Sequence, residues 1–168
     1  MRQGDFSRDG LEDVIAREAS TGKLWLYPGR VTDSGAAALG ARKLIGSGGW
    51  NVMGQLVGAG DLNGDTRSDL VAVEKASGKL WFYPGKAGAY GSRVLIGSGW
   101  NSMASLLAVA DYTGDGYNDL AAITGAGTST TTCPSGDGCL LVYPGTGTSK
   151  LAPASRKADD WWGLTGAF

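Results

Sequence analysis

Apolar residues come in short bursts along this chain, separated by turns rich in Gly, Asp and Ser, and none of them shows helical spacing. Residues 11–16, 70–73 and 120–123 form one family of bursts. A Gly-centred turn (Thr21-Gly22, Ser77-Gly78, Asp137-Gly138) leads from each to a second burst: Leu24-Trp-Leu-Tyr27, Leu80-Trp-Phe-Tyr83 and Leu140-Leu-Val-Tyr143, all followed by Pro-Gly. A variable loop comes next, then a run that closes on Gly-Ser-Gly-Gly-Trp50-Asn51 or Gly-Ser-Gly-Trp100-Asn101. A fourth run, 55–59 or 105–110, ends the unit. The pattern predicts four short strands per unit of about 50 residues. Residues 80–83 are apolar at every position, so both faces of the sheet should be covered. Four-stranded sheets stacked face to face around an axis are the blades of a β-propeller, and an all-β propeller segment is the expected fold.

The whole chain, 1–168, reads as one such segment, with repeats at about 1–50, 51–100 and 101–168. Three blades are fewer than the roughly 4–8 that close a ring. Trp50 precedes Asp61, and Trp100 precedes Asp111, by 11 residues; Trp162 counted through Phe168 and on from Met1 reaches Asp5 at the same spacing. The last strand is therefore expected to complete the first blade of a partner chain. A homodimer would give six blades, and a trimer nine. The alternative is a fragment of a longer array.

The turn that opens each repeat carries an acidic pattern. Asp61-Leu-Asn63-Gly-Asp65-Thr-Arg67-Ser-Asp69 has oxygen side chains at positions 1, 3, 5 and 9, and so do Asp5, Ser7, Asp9 and Asp13, and Asp111, Thr113, Asp115 and Asp119. A tight loop with that spacing can point several hard oxygens at one Ca²⁺. Position 12 is Ala16, Ala72 or Ala122, so no EF-hand loop closes and the Asp at position 9 must stand in for its bidentate Glu. Asp, Asn, Ser and Gly also build turns by bonding their own backbone. Nine Asp at positions 1, 5 and 9 of these loops are more than half of the 16 acidic residues and crowd three like charges into each copy, which favours a cation in each, about three Ca²⁺ per chain.

Composition narrows the remaining choices. Gly contributes 29 residues, more than twice the usual ~7%, which marks a turn-rich chain. A net charge of −1 without a basic run disfavours nucleic acid or an anionic membrane as partner, and no apolar stretch approaches the ~20 residues of a spanning helix. Cys133 and Cys139 flank Pro-Ser-Gly-Asp-Gly; with no His in the chain, a zinc site is disfavoured. A local disulfide in an oxidising, extracellular setting is the expectation, with two free thiols as the alternative. The N-terminus shows no signal-peptide core, so a secreted chain would have had its leader cut away.

Gly60-Asp-Leu-Asn-Gly-Asp with Asp69-Leu70, Leu80-Trp-Phe-Tyr-Pro-Gly85 and Ile96-Gly-Ser-Gly-Trp-Asn101 resemble the FG-GAP/VCBS-type repeats of secreted bacterial proteins, built on the integrin-like propeller. The resemblance covers nearly the whole chain. It implies calcium in the strand-linking loops, held by the oxygen residues above with a backbone carbonyl from position 7, which is Leu11, Arg67 or Tyr117. The neutral Ser7, Asn63 and Thr113 at position 3, and Thr66 in place of Gly, depart from the commoner pattern and imply weaker, structural binding. A shorter stretch, Leu44-Ile-Gly-Ser-Gly-Gly-Trp-Asn51, looks like the blade motif of tachylectin-type lectins, which bind N-acetyl sugars between blades.

Without His there is no Ser-His or Cys-His pair, and Asp159-Asp160 beside Trp161 are strand neighbours that would point to opposite faces, so an enzyme is not expected. The leading expectation is a secreted, calcium-stabilised, carbohydrate-binding module. Trp50, Asn51, Trp100, Asn101 and Trp162 would offer a flat aromatic and planar amides to a glycan. The rival is a protein-interaction, adhesion or scaffold module attached to a secreted enzyme, in which the repeating Trp merely wedges between blades. Exposure of that Trp separates the two.

Overall fold

The computed structural model describes residues 1–134 and 138–158. Trp162, Asp159, Asp160, Trp161 and the expected closing strand lie outside the described residues. Among these residues the chain forms three four-stranded antiparallel sheets and two two-stranded ribbons, without an α-helix. The first sheet is a meander of Arg2–Gly4, Asp13–Arg17, Leu24–Tyr27 and Lys43–Gly46. The second runs through Met53–Gly60, Asp69–Glu74, Leu80–Tyr83 and Val94–Gly97, and the third through Met103–Ala108, Leu120–Thr124, Leu140–Tyr143 and Ser155–Ala158. Four strands per sheet are present as expected, but the runs at 55–59 and 105–110, expected to end a unit, lie in the first strands of the second and third sheets instead.

Boundaries shift where the acidic turn claims residues. The second strand of the first sheet begins at Asp13, two residues after the apolar run starts, because Leu11 and Glu12 still belong to the turn. The variable loops of the first two repeats are partly ordered, as the ribbons Gly29–Val31 with Ala37–Leu39 and Gly85–Lys86 with Ala89–Tyr90. Trp50–Val52 and Trp100–Ser102 form short 3-10 turns, each entered through a left-handed Gly.

The alternation of a strand explains how the sheets stack. In the middle sheet, Leu70 and Ala72 face back to Phe6, Ile15, Leu24 and Leu26 of the first sheet. Val71 and Val73 face forward to Leu106, Leu120 and Ala122 of the third. All-apolar strands are thus consumed on both sides, as the sequence of residues 80–83 demanded. Each fully buried Leu or Phe contributes roughly 1.5–3 kcal/mol, so the two junctions between sheets carry most of the fold's stability. The first strand of the middle sheet also touches the first strand of each neighbour, which sets the leading strands side by side along one line.

Cys133 and Cys139 form the expected disulfide, buried against Leu141. It closes the long turn between the second and third strands of the third sheet, where the other repeats need only a short one. Such a small loop is worth about 2 kcal/mol in the chain-entropy account.

Candidate functional site

The three acidic turns lie at equivalent places, each leading into the second strand of its sheet. Position 1 caps the turn. Asp61 accepts backbone N–H groups from Gly64 (2.7 Å), Asp65 (3.1 Å) and Thr66 (2.7 Å), and Asp111 accepts those of Gly114, Asp115 and Gly116. Asp5 takes Asp9 and Gly10 in the same way. Position 5 continues the pattern by accepting the N–H of position 7: Leu11 on Asp9, Arg67 on Asp65 and Tyr117 on Asp115. Position 3 differs between copies. Asn63 accepts the Asp65 N–H and donates to its carboxylate, whereas the Ser7 hydroxyl lies 3.4 Å from Asp13.

Position 9 has a different role. Asp13, Asp69 and Asp119 are fully buried. One oxygen of each accepts an N–H from the start of its own turn: Ser7 at 2.6 Å, Leu62 at 3.0 Å, Thr113 at 2.8 Å. The other accepts the N–H of the Gly in Tyr-Pro-Gly: Gly29 at 2.8 Å, Gly85 at 2.8 Å, Gly145 at 2.9 Å. The carboxylate therefore clasps the turn to the far end of the third strand. Side chains at these glycines would collide with the backbone carbonyl of position 8 (Glu12, Ser68, Asn118), which is why the motif ends in Gly. The recurrence of Tyr-Pro-Gly in all three repeats was the available signal for this role, and reading residue types alone missed it.

Burial, opposed by the N–H groups of Gly85 and Leu62 and reinforced by the charges of Asp65 and Asp61, pushes the Asp69 carboxyl up to about 6. The crowding of like charge expected from the sequence is thus present in the second turn. Among the described residues, no group of three or more acidic side chains is already gathered as a metal site. The donors are all hard oxygens, which suits Ca²⁺. An oxygen that accepts one N–H retains a second lone pair, so position 1 and position 5 could serve a cation without losing the turn.

Positions 4 and 6 of every turn adopt positive φ. Most are Gly, but Arg8 (φ 64°) and Thr66 (φ 65°) are not. A β-branched residue is strained there by roughly 1–2 kcal/mol. Thr66→Gly should therefore stabilise the protein by about 1 kcal/mol, read as a raised midpoint in urea with unchanged slope. No gain would mean the turn relaxes around Thr66.

The Gly-Trp-Asn turns complete the inventory. Trp100 is only 6% exposed and meets Tyr143 of the third sheet with ring centroids 4.6 Å apart and planes tilted by 44°. Trp50 is half-buried and meets Tyr83 of the second sheet at 4.6 Å. Each indole crosses the Gly two places before its Gly-rich turn, Gly46 or Gly97, where a Cβ would strike Nε1. The Trp100 backbone N–H donates to the Gly78 carbonyl and the Trp50 backbone N–H to that of Gly22, while the Asn51 side-chain amide donates to the Ala19 carbonyl. The expectation that flexible Gly turns bare Trp100 is corrected: the glycines are notches that let the ring lie flat between sheets. Trp25 and Trp81 lie beneath guanidinium groups, Arg42 at 4.1 Å and Arg93 at 3.9 Å from the ring centroids.

A family model described as FG-GAP-like repeat matches residues 5–72 and 61–122, each match beginning at position 1 of an acidic turn. It does not extend to the likeness with tachylectin-type lectins. No curated protein matches the chain. No helix among the described residues is long and apolar enough to cross a membrane.

Proposed function

The chain belongs to the FG-GAP-like repeat family, and from that premise we propose that it is a non-catalytic protein-interaction or adhesion module whose sheets are β-propeller blades. The observation that carries this reading is the placement of the repeating Trp: Trp100 fills the junction between two sheets, which leaves no bare indole at that turn for a sugar. Apolar side chains are instead displayed on the outermost strands, Leu44 on the first sheet and Val94 with Leu95 on the second. A protein partner buries such residues readily. The disulfide is compatible with an extracellular setting.

A glycan array probed in calcium should stay blank. The immobilised chain should bind a purified extracellular protein from a panel in a saturable manner that Leu44→Asp with Leu95→Asp abolishes. Saturable binding to glycans instead would revive the carbohydrate reading. Its best foothold is Trp50-Asn51, where the ring is half-exposed and the amide exposed.

Calcium in the three turns belongs to the same proposal. The oxygens of Asp5, Ser7, Asp9 and Asp13, and their counterparts Asp61, Asn63, Asp65 and Asp69 or Asp111, Thr113, Asp115 and Asp119, would hold it, with the carbonyls of Leu11, Arg67 and Tyr117. The ion would neutralise the crowded carboxylates and brace the turn. Calcium at 100 times its Kd should stabilise the fold by about 2.7 kcal/mol per site, and Asp65→Ala should remove only one site's share. Identical melting in calcium and in chelator would exclude the ion.

A further inference from the structure

Charge is spread unevenly over this molecule. Asp and Glu are absent from residues 34–60 and 75–110, whose charges are Arg42, Lys43, Lys75, Lys79, Lys86 and Arg93. These stretches include the outermost strands of the first and second sheets, Lys43–Gly46 and Val94–Gly97. The acids of the adjoining hairpins, Glu18 and Glu74, already accept hydrogen bonds from Thr21 and Ser77. A chain of net charge −1 therefore sets acidic turns apart from basic outer strands.

An outermost strand has one open side, which natural sheets commonly blunt with charge inside the strand. The third sheet does so through Arg156 and Lys157 in Ser155–Ala158, and the first through Lys43. The ribbon strand Ala89–Tyr90 also lies against the edge strand of the first sheet. The second sheet has neither protection. Its edge strand, Val94-Leu95-Ile96-Gly97, holds no charge, and Val94 and Leu95 are exposed. Among the described residues it pairs only with Leu80–Tyr83.

Beside this bare edge, the Arg93 guanidinium lies 3.9 Å and the Lys79 ammonium 5.9 Å from the centroid of the Trp81 ring. The Trp81 indole N–H is buried without a hydrogen-bond partner among the described residues. Leu95 is opposite Trp81 in the ladder and shares its face, while Val94, opposite Phe82, points the other way. Donors and cations thus gather on one face of an open edge, and apolar surface continues on the other.

We infer that Val94–Gly97 accepts an extended acidic segment of another protein as a fifth strand, its carboxylates on the Arg93 and Lys79 face and its apolar side chains on the Val94 face. This deepens the protein-interaction reading above, on which it rests. Main-chain pairing along the edge would supply affinity, and alternate side chains specificity. The period of a strand makes the partner alternate acidic with apolar residues, and charge-assisted hydrogen bonds to the guanidinium favour carboxylates over neutral acceptors.

The probe is a capped, fluorescein-labelled hexapeptide alternating Glu and Val. It should bind the purified chain saturably, with amide chemical-shift changes centred on residues 93–97. Arg93→Glu should weaken binding by at least about tenfold. Arg30→Glu, the same change of charge on the first repeat's ribbon, should leave it unchanged; both side chains are exposed, so both variants should fold. A fully N-methylated form of the peptide cannot pair as a strand and should not bind. No saturation by ~1 mM peptide, equal binding of the N-methylated form, or equal loss with Arg30→Glu overturns the inference. If a protein of the panel binds and the hexapeptide does not, the acidic strand fails and the interaction reading stands; if neither binds, both fail.

Discussion

Asp119→Ala is expected to lower the free energy of unfolding by about 3 kcal/mol, because it strands one buried N–H group at roughly 1–3 kcal/mol and removes two hydrogen bonds to a carboxylate. The donors are Thr113 and Gly145, which belong to the turn and to the far end of the third strand. The Gly145 bond is buried, so that N–H cannot reach water without pulling its segment away from the sheet. Asp119→Asn keeps one acceptor oxygen but turns an amide donor toward the other N–H, so its loss should be about half as large. Guanidinium unfolding of the three proteins gives the test. If the alanine variant falls within ~1 kcal/mol of wild type, the clasp does not hold the turn. Against a total stability of about 5–15 kcal/mol for a domain, the expected loss would leave a chain close to unfolding at body temperature.

The second large effect is expected at Trp100. Removing a buried indole to Cβ costs about 3–5 kcal/mol, and here the void would open between two sheets rather than inside one. Trp100 is buried in the same core as Phe82, and its ring packs against Tyr143. Trp100→Ala should therefore lower the melting temperature sharply and loosen the third sheet before the first. Hydrogen exchange would show this as early loss of protection in residues 120–124 and 140–143. Trp50→Ala, at a half-buried site, should cost less. A Trp100→Ala protein that melts like the wild type but loses binding to a glycan would reverse the assignment of this residue.

The architecture was legible in the sequence because three copies of one pattern average out local ambiguity. A single run such as residues 70–73 could be a strand or a buried helical turn; repeated beside Tyr-Pro-Gly and an acidic turn, it can only be a strand. What the sequence did not disclose is direction. Trp50 and Trp100 follow glycines, and glycine usually signals freedom; here Gly46 and Gly97 are the floor on which the ring lies. Likewise, Asp at position 9 carries the same letter as Asp at positions 1 and 5. Only the folded backbone separates a fully buried clasp from the two carboxylates nearer the surface. The ribbons were hidden because their pairing is made by backbone, with side chains as ordinary as Lys86 and Ala89.

The contact of Trp50 with Tyr83 and of Trp100 with Tyr143 has a bearing on how such a chain can change over generations. At both junctions among the described residues, the indole of one repeat meets the phenol of the next. A gene duplication that inserts one whole repeat, cut anywhere in phase, therefore creates a new seam that already fits. Loss of a repeat heals in the same way. Copy number is free to drift while each seam stays intact, and selection can act on the displayed outer strands without renegotiating the interior.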